Sequence, residues 1–229
     1  MSLPLLLWLV GAGEWAPCPP DETTSCAPDA PVSRVDLACC PVADRTLVPV
    51  GVSHPPTRRM GSLLVLRAEV TRGQYLAVVG SGPRLWAIHP EPVAGVDREA
   101  LPATHLTWYE AALFANALSL AQGLEPAYEI DGEDVRVLRA RSGWRLPTLA
   151  EWDRAAADHG LCDLAPSAWE WVEERERPDE WDPYTDAFIR GCESYADEGL
   201  RERPYGVRAN TRLQSLGFRL VRQAGRSSP

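Results

Sequence analysis

The chain reads GWRLPTLAEWDRAA from Gly143 to Ala156, and this stretch contains a strand end, a forced turn and a helix start. Pro147 fixes its own φ and disfavours helical backbone at Leu146, so the residues before it are predicted to be extended. Thr148 and Glu151 have the three-residue spacing of a capping box, in which each side chain accepts a hydrogen bond from the other residue's amide. The stretch therefore predicts a strand that leads directly into a capped helix.

This helix is predicted to be part of the core. Leu149, Trp152 and Ala155 recur at helical spacing, and Gly160 is the expected C-terminal stop. An apolar face of this kind packs against the rest of a fold. We expect Arg145, Glu151 and Trp152 to be structural residues.

Similar signals mark two more helices and a hairpin. The other capping boxes pair Thr71 with Gln74, before a stop at Gly80, and Thr107 with Glu110, before a stop at Gly123. A period-two pattern on both sides of Asp131-Gly132 predicts a β-hairpin, with Tyr128 and Ile130 on the same face as Val135 and Val137. The apolar run from Leu63 to Val70 predicts a buried strand.

GWRLPTLAEWDRAA resembles the signature of the formylglycine-generating, or sulfatase-modifying factor, family. The flanking segments are similar in the same order, with EVTRGQY at 69–75, LPATHLTWYEA at 101–111 and GFRLV at 217–221. The resemblance implies an α+β domain with a C-type-lectin-like, formylglycine-generating-enzyme-like fold that has little regular secondary structure. It covers about Thr46 to Arg222.

Length and composition suit one domain with short appendages. The chain has 229 residues and a formal charge of −9, which argues against nucleic acid as a partner because phosphate binding needs clustered cations. The predicted divisions are a signal-peptide-like segment at 1–12, a Cys/Pro-rich linker at 13–45, the family domain at 46–223 and a tail at 224–229.

The leader and the cysteines predict the cellular compartment of the protein. The apolar leader at 1–12 is too short to span a membrane and resembles a signal peptide, although it carries no Lys or Arg. An even count of six cysteines after such a leader predicts export, periplasmic or extracellular, with disulfides. A cytoplasmic location is the alternative.

The resemblance also implies a chemistry whose residues this chain lacks. The family's aerobic enzymes bind copper through a cysteine pair after a segment that corresponds here to Arg190–Tyr195, and they oxidise a substrate cysteine to formylglycine. Soft thiolates are needed to hold Cu(I). Cys192 lies where the family has glycine, and no cysteine follows it. Copper is therefore not expected, and a Cys162–Cys192 disulfide competes with any catalytic role for Cys192.

Other metals are predicted to be absent as well. The family's loop with one calcium site is missing, and Pro166-Ser167 replaces the Gly-Asn of the second site, so calcium is not expected. The four histidines are scattered, without the spacing of a non-haem iron site, and His105 is interpreted as a structural residue in an extended segment.

A substrate groove remains as the candidate site. The family's groove corresponds here to Trp169 and to Cys192, Ser194 and Tyr195, and Arg208 is a candidate at its rim. An aromatic floor with charged rim residues suits a peptide or a small polar ligand. The acidic segment 173–186 is a candidate protein-interaction surface, which we expect to lie near the Arg-rich C-terminal part.

Two functions follow from this sequence. The favoured one is a binding or accessory module that has lost the copper cysteines. The alternative is an enzyme of the same family, either a divergent formylglycine-generating oxidase or a siderophore-tailoring member, with Glu170 or Glu193 as base.

Overall fold

Each of the three α-helices whose bounds lie within the described residues begins after a threonine N-cap. The computed structural model describes residues 56–84, 86, 98–157, 169–175, 185–191 and 204–225. The helices are α1 (Arg72–Val79), α2 (Trp108–Ala121) and α3 (Leu149–Ala156), with a one-turn 3-10 helix at Arg98–Ala100. The capping box is complete at each of the three threonines, which confirms the three predicted helix starts.

The helix ends agree with the sequence in two cases and differ in the third. Gly80 follows α1 in the left-handed conformation, with φ 80°, and Gly123 follows the end of α2 with φ 69°. The predicted stop of α3 at Gly160 is wrong, because α3 ends at Ala156. The C-cap, Ala157, has φ −78°, and its amide still bonds the Asp153 carbonyl.

The described strands form three small sheets. They are β1 (Thr57–Met60), β2 (Leu63–Leu66), β3 (Tyr128–Asp131), β4 (Asp134–Val137), β5 (Trp169–Trp171), β6 (Ala187–Gly191), β7 (Tyr205–Val207), β8 (Leu216–Gly217) and β9 (Val221–Gln223). Their orders are β1-β2-β9, β3-β4 and β7-β6-β5-β8. Only the β5–β8 pair is parallel among these described pairings. Three helices and short strands match the predicted α+β class.

The predicted hairpin is present with its expected face. Tyr128 pairs with Val137 and Ile130 with Val135, so the four side chains share one side of the β3–β4 ribbon. Gly132 occupies the turn with φ 60°, a conformation that costs glycine little.

Before Pro147, Arg145 forms an isolated antiparallel β-bridge with Val221 in place of the predicted strand. The Arg145 amide donates to the Val221 carbonyl at 2.9 Å, and the Val221 amide donates back to the Arg145 carbonyl at 2.8 Å. Nearby, the amides of Leu66 and Val70 donate hydrogen bonds to carbonyls of the same C-terminal segment. The predicted strand from Leu63 to Val70 is regular only as far as Leu66. The GWR and GFRLV motifs are therefore hydrogen-bonded to each other.

Tryptophans form much of the core. Trp108, Trp144 and Trp171 are fully buried, and each ring N–H has a partner. Trp108 donates to the Val172 carbonyl at 2.8 Å and Trp171 to the Leu106 carbonyl at 2.9 Å. The two bonds link the start of α2 to Trp171 and Val172, so the end of β5 is fixed to the core on the C-terminal side of Glu170.

Candidate functional site

The structure describes part of the predicted site. Trp169, Glu170 and Arg208 lie within the described residues, whereas Cys162, Glu193 and the segment 192–195 lie outside them. The signal-peptide-like segment and the linker are also outside. Nothing structural is therefore concluded about Cys192, Ser194 or Tyr195.

Glu170 is a buried ion-pair residue. Its carboxylate accepts from Arg219 Nη2 at 2.6 Å and from Nε at 2.7 Å, and both side chains are fully shielded from solvent. Trp152 Nε1 adds a third hydrogen bond at 3.0 Å. A carboxylate held in this way faces the core and cannot approach a ligand at the surface. Its geometry therefore explains Glu170 as a structural residue and gives no support to a role as general base.

Trp169 lies next to a second aromatic side chain at the surface. Its ring is 5.9 Å from the ring of Tyr205, centroid to centroid, and the two planes are tilted by 45°. Trp169 is partly exposed, and Tyr205 is 52% exposed. The rings come from β5 and β7, on either side of β6, and we call Trp169 and Tyr205 the aromatic pair. The sequence did not single out Tyr205, which lies 36 residues after Trp169 in the chain.

The end of β6 lies beside this pair. Gly191, the last described residue of β6, is the register partner of Trp169. Cys192 follows it directly in the sequence, and the chain contains no later cysteine. The family resemblance implies a copper site made of two thiolates after this segment, and the sequence has one cysteine there.

Arg208 lies at the other end of the sheet. It follows β7, whose residue Val207 pairs with Ala187 at the start of β6. Arg208 is exposed there. The register therefore places Arg208 at the opposite end of β6 from Trp169, three residues after Tyr205.

Only the two ends of the acidic segment, residues 173–175 and 185–186, lie within the described residues, so its expected pairing with the C-terminal arginines stays a prediction. Asp186 accepts a hydrogen bond from the Ala209 amide, which brings the end of the acidic segment close to the C-terminal part. Glu173, however, forms ion pairs with Arg139 and Arg145, and burial raises the pKa of its carboxyl while Arg145 opposes this shift. The charge of Glu173 is thus matched by arginines of the central region.

Arg145 has the structural role that the sequence predicts. Its Nη1 and Nη2 each lie 2.7 Å from one oxygen of Glu151, in a bidentate pair beside the α3 cap. Burial opposes ionisation of Glu151, but the Arg145 hydrogen bonds outweigh it and lower the pKa. The capping box and the ion pair thus share one carboxylate.

A cleft of about 720 Å³ opens between α1 and α2. Tyr75 and Phe114 are stacked at its floor, with ring centroids 5.3 Å apart and planes within 12° of parallel. Val79 and Leu113 line the walls and are 42% and 52% exposed. The sequence reveals no such site, because its lining residues come from segments as distant as Tyr75 and Arg212.

The backbone of His105 is strained at the edge of this cleft. It has φ 60°, which is the only positive φ of a non-glycine residue in the described parts of the chain. The predicted extended conformation at His105 is therefore wrong. The His105 amide bonds the Leu213 carbonyl and its own carbonyl accepts from Arg212 Nη1 at 2.9 Å, so tertiary hydrogen bonds hold this conformation.

No metal-binding cluster appears in the parts of the chain that are described. There, no three His, Cys, Asp or Glu side chains are grouped so that they could hold an ion. The family's calcium positions around Pro166-Ser167 lie outside the described residues. Likewise, no helix within the described ranges is both long and apolar enough to cross a membrane.

Comparison with known proteins confirms the fold and the family resemblance. Residues 53–158 match the "Sulfatase-modifying factor enzyme 1-like domain" family. Two solved structures are similar, Treponema denticola variable protein 1 (TM-score 0.60, 21% identity, 71% of this chain and 84% of that one) and CarF (TM-score 0.59, 21% identity, 71% and 86%). At this identity they show the fold alone.

A curated relative is also similar in sequence. The chain is 30% identical over 134 residues to "Chaperone protein LppX" of Paenibacillus barcinonensis. The match covers 48% of this chain and 44% of the relative, so the chain spans less than half of that protein's length.

Proposed function

We propose that this chain, which carries a domain of the sulfatase-modifying factor family, is an accessory module that binds an extended segment of another polypeptide. The aromatic pair, Trp169 and Tyr205, is the contact surface. The single observation that carries the proposal is this pair of partly exposed rings, positioned on a sheet whose central strand is fixed to the core.

The rigidity of β5 supports a binding role for Trp169. The next residue, Glu170, is locked to Arg219, and the one after it, Trp171, is fully buried with its N–H bonded to the Leu106 carbonyl. A ring on such a strand loses little conformational entropy when a ligand binds. Half-exposed aromatic residues are typical anchors in protein recognition.

Charge and family favour a polypeptide with cationic residues. A net charge of −9 attracts basic partners and repels acidic ones. The family resemblance implies a groove that holds a substrate with a cysteine, and the LppX relative is named a chaperone protein. Both support a peptide in preference to a small polar ligand.

The alternative is an oxidase of the same family. Its support is the match of residues 53–158 to an enzyme family. Against it, the chain has no cysteine after Cys192 to complete a copper pair, and Glu170, the described base candidate, is buried in an ion pair.

The binding proposal predicts that a fluorescent Cys-x-Pro-x-Arg peptide binds the full chain and that the aromatic pair is needed. Trp169→Ala and Tyr205→Ala should each weaken binding by about fivefold or more, because truncating an aromatic anchor costs over about 1 kcal/mol. Anisotropy titration measures the change. Leu120→Ala, at an exposed apolar residue of α2, is the matched control and should bind as the unaltered chain does.

The binding proposal has a clear contrary result. No saturable binding, or equal affinity for the Trp169→Ala, Tyr205→Ala and Leu120→Ala variants, would remove the aromatic pair as a contact surface.

We also propose that the protein is exported, to the periplasm or the extracellular space, with its cysteines in disulfides. An even count of six cysteines in a chain of this size supports an oxidising compartment. Alkylation and intact-mass measurement on protein isolated from its source without reductant should show most cysteines unmodified. Six alkylated cysteines would contradict export and disulfides together.

A further inference from the structure

The α1–α2 cleft has the size and lining of a small-molecule site. Its volume of about 720 Å³ lies within the range of ligand pockets, about 300–1,000 Å³. Phe114 and Tyr75 form an aromatic floor, and Leu113 and Val79 leave large apolar areas open to solvent. Covering these side chains with an apolar ligand body would be favourable.

The charged groups around the cleft favour an anionic head group. Its lining includes the two guanidinium groups of Arg84 and Arg212 and the one carboxylate of Glu110, a formal balance of +1 with neutral His105. This contrasts with the net charge of −9 for the whole chain. A ligand with a single negative charge would neutralise the cleft.

The two arginines differ in how their side chains are held by neighbouring groups. Arg212 is 2.7 Å from Glu110 and also donates to the His105 carbonyl, so it is held in place. Arg84 is exposed and forms no ion pair within the described part of the chain. Arg84 can therefore turn towards a ligand without breaking an existing contact.

Tyr75 adds a hydrogen-bond donor at the floor. Burial, reinforced by the charge of Glu110, raises the pKa of Tyr75 to about 12. Its hydroxyl thus keeps its proton at neutral pH and can donate to an oxygen acceptor. The strained backbone of His105 lies at the same cleft, and such strain is concentrated at binding and active sites.

We propose that this cleft binds a small amphiphilic carboxylate, with its apolar body over Leu113 and Phe114 and its carboxylate at Arg84. The site is separate from the aromatic pair, since it is formed by the helices and not by the β5–β7 strands. Failure of either proposal therefore leaves the other intact.

Sodium octanoate is the probe, titrated into the full chain by isothermal titration calorimetry, with 1-octanol as the uncharged counterpart. One octanoate should bind per chain. Leu113→Asp should weaken octanoate binding by about tenfold or more, because the change removes an apolar wall and adds a carboxylate that repels octanoate. Arg84→Gln should weaken octanoate by several-fold and leave 1-octanol unaffected.

Leu120→Asp is the matched control. Leu120 lies on the same helix, seven residues after Leu113, is 64% exposed and does not line the cleft. Both leucines are exposed, so both variants should fold, with a small loss of melting temperature because Asp is a poorer helix former than Leu. The control should bind octanoate with unchanged affinity.

Three results would overturn the proposal. They are the absence of octanoate binding at millimolar concentration, equal weakening by Leu113→Asp and Leu120→Asp, and a dimer in sedimentation that Leu113→Asp dissociates. The last result would assign this face to a second copy of the chain.

Discussion

Arg219→Met should lower the free energy of unfolding by about 3–5 kcal/mol, because it leaves the Glu170 carboxylate buried without its cation. The side chains of both residues are fully shielded from solvent, and two hydrogen bonds of 2.6 and 2.7 Å join them. Arg219 also donates to the Leu66 carbonyl at 3.3 Å, so the change removes a link between β2 and the C-terminal segment. Denaturant unfolding at neutral pH measures the loss.

The double variant Glu170→Gln with Arg219→Met tests the cause. It removes both charges and should be less destabilised than Arg219→Met alone. Arg136→Met is the control, because its ion pair with Glu129 lies at the surface and should leave stability nearly unchanged. An Arg219→Met variant as stable as the control would contradict the structural role of the pair.

Trp152→Ala should lower the free energy of unfolding by about 3–5 kcal/mol, because it opens a cavity under α3. Trp152 is 4% exposed and packs in the smaller core cluster with Leu63, Val65 and Val172. Its ring N–H also bonds Glu170, so its loss removes a donor from the buried carboxylate. Thermal and denaturant unfolding should both show the effect.

Trp152→Phe separates the two contributions of this side chain. It retains an aromatic ring in the core but lacks the N–H, so its loss of stability should be smaller than that of Trp152→Ala. An unchanged melting temperature for Trp152→Ala would show that α3 does not belong to the core.

Local signals in the sequence predict the helices and the hairpin well. A capping box needs only residues three apart, so Thr71, Thr107 and Thr148 mark the helix starts correctly. The predicted end of α3 is wrong because a glycine downstream of a helix is compatible with a helix stop there but does not prevent the helix from ending earlier. The His105 conformation depends on hydrogen bonds with residues more than 100 positions away, which no local pattern contains.

Long-range pairs explain why the candidate sites were only partly predicted. The family resemblance predicts Trp169 as a site residue. Tyr205 joins it only because the register of β5, β6 and β7 brings the two side chains together. Glu170 is a candidate base from the sequence alone, because its ion-pair partner, Arg219, lies 49 residues later and no local pattern links the two. The glycine of the GFRLV motif also depends on a distant residue, because a Cβ at Gly217 would collide with the Glu69 carboxylate.

The most direct test of the central claim is the mass of a Cys-x-Pro-x-Arg peptide after incubation with the full chain, copper and oxygen. The chain should bind the peptide through Trp169 and Tyr205 and return it with its cysteine mass unchanged, because Cys192 has no later cysteine with which to bind copper. A loss of mass at the peptide cysteine, abolished by Cys192→Ala, would show formylglycine formation and contradict a purely binding role.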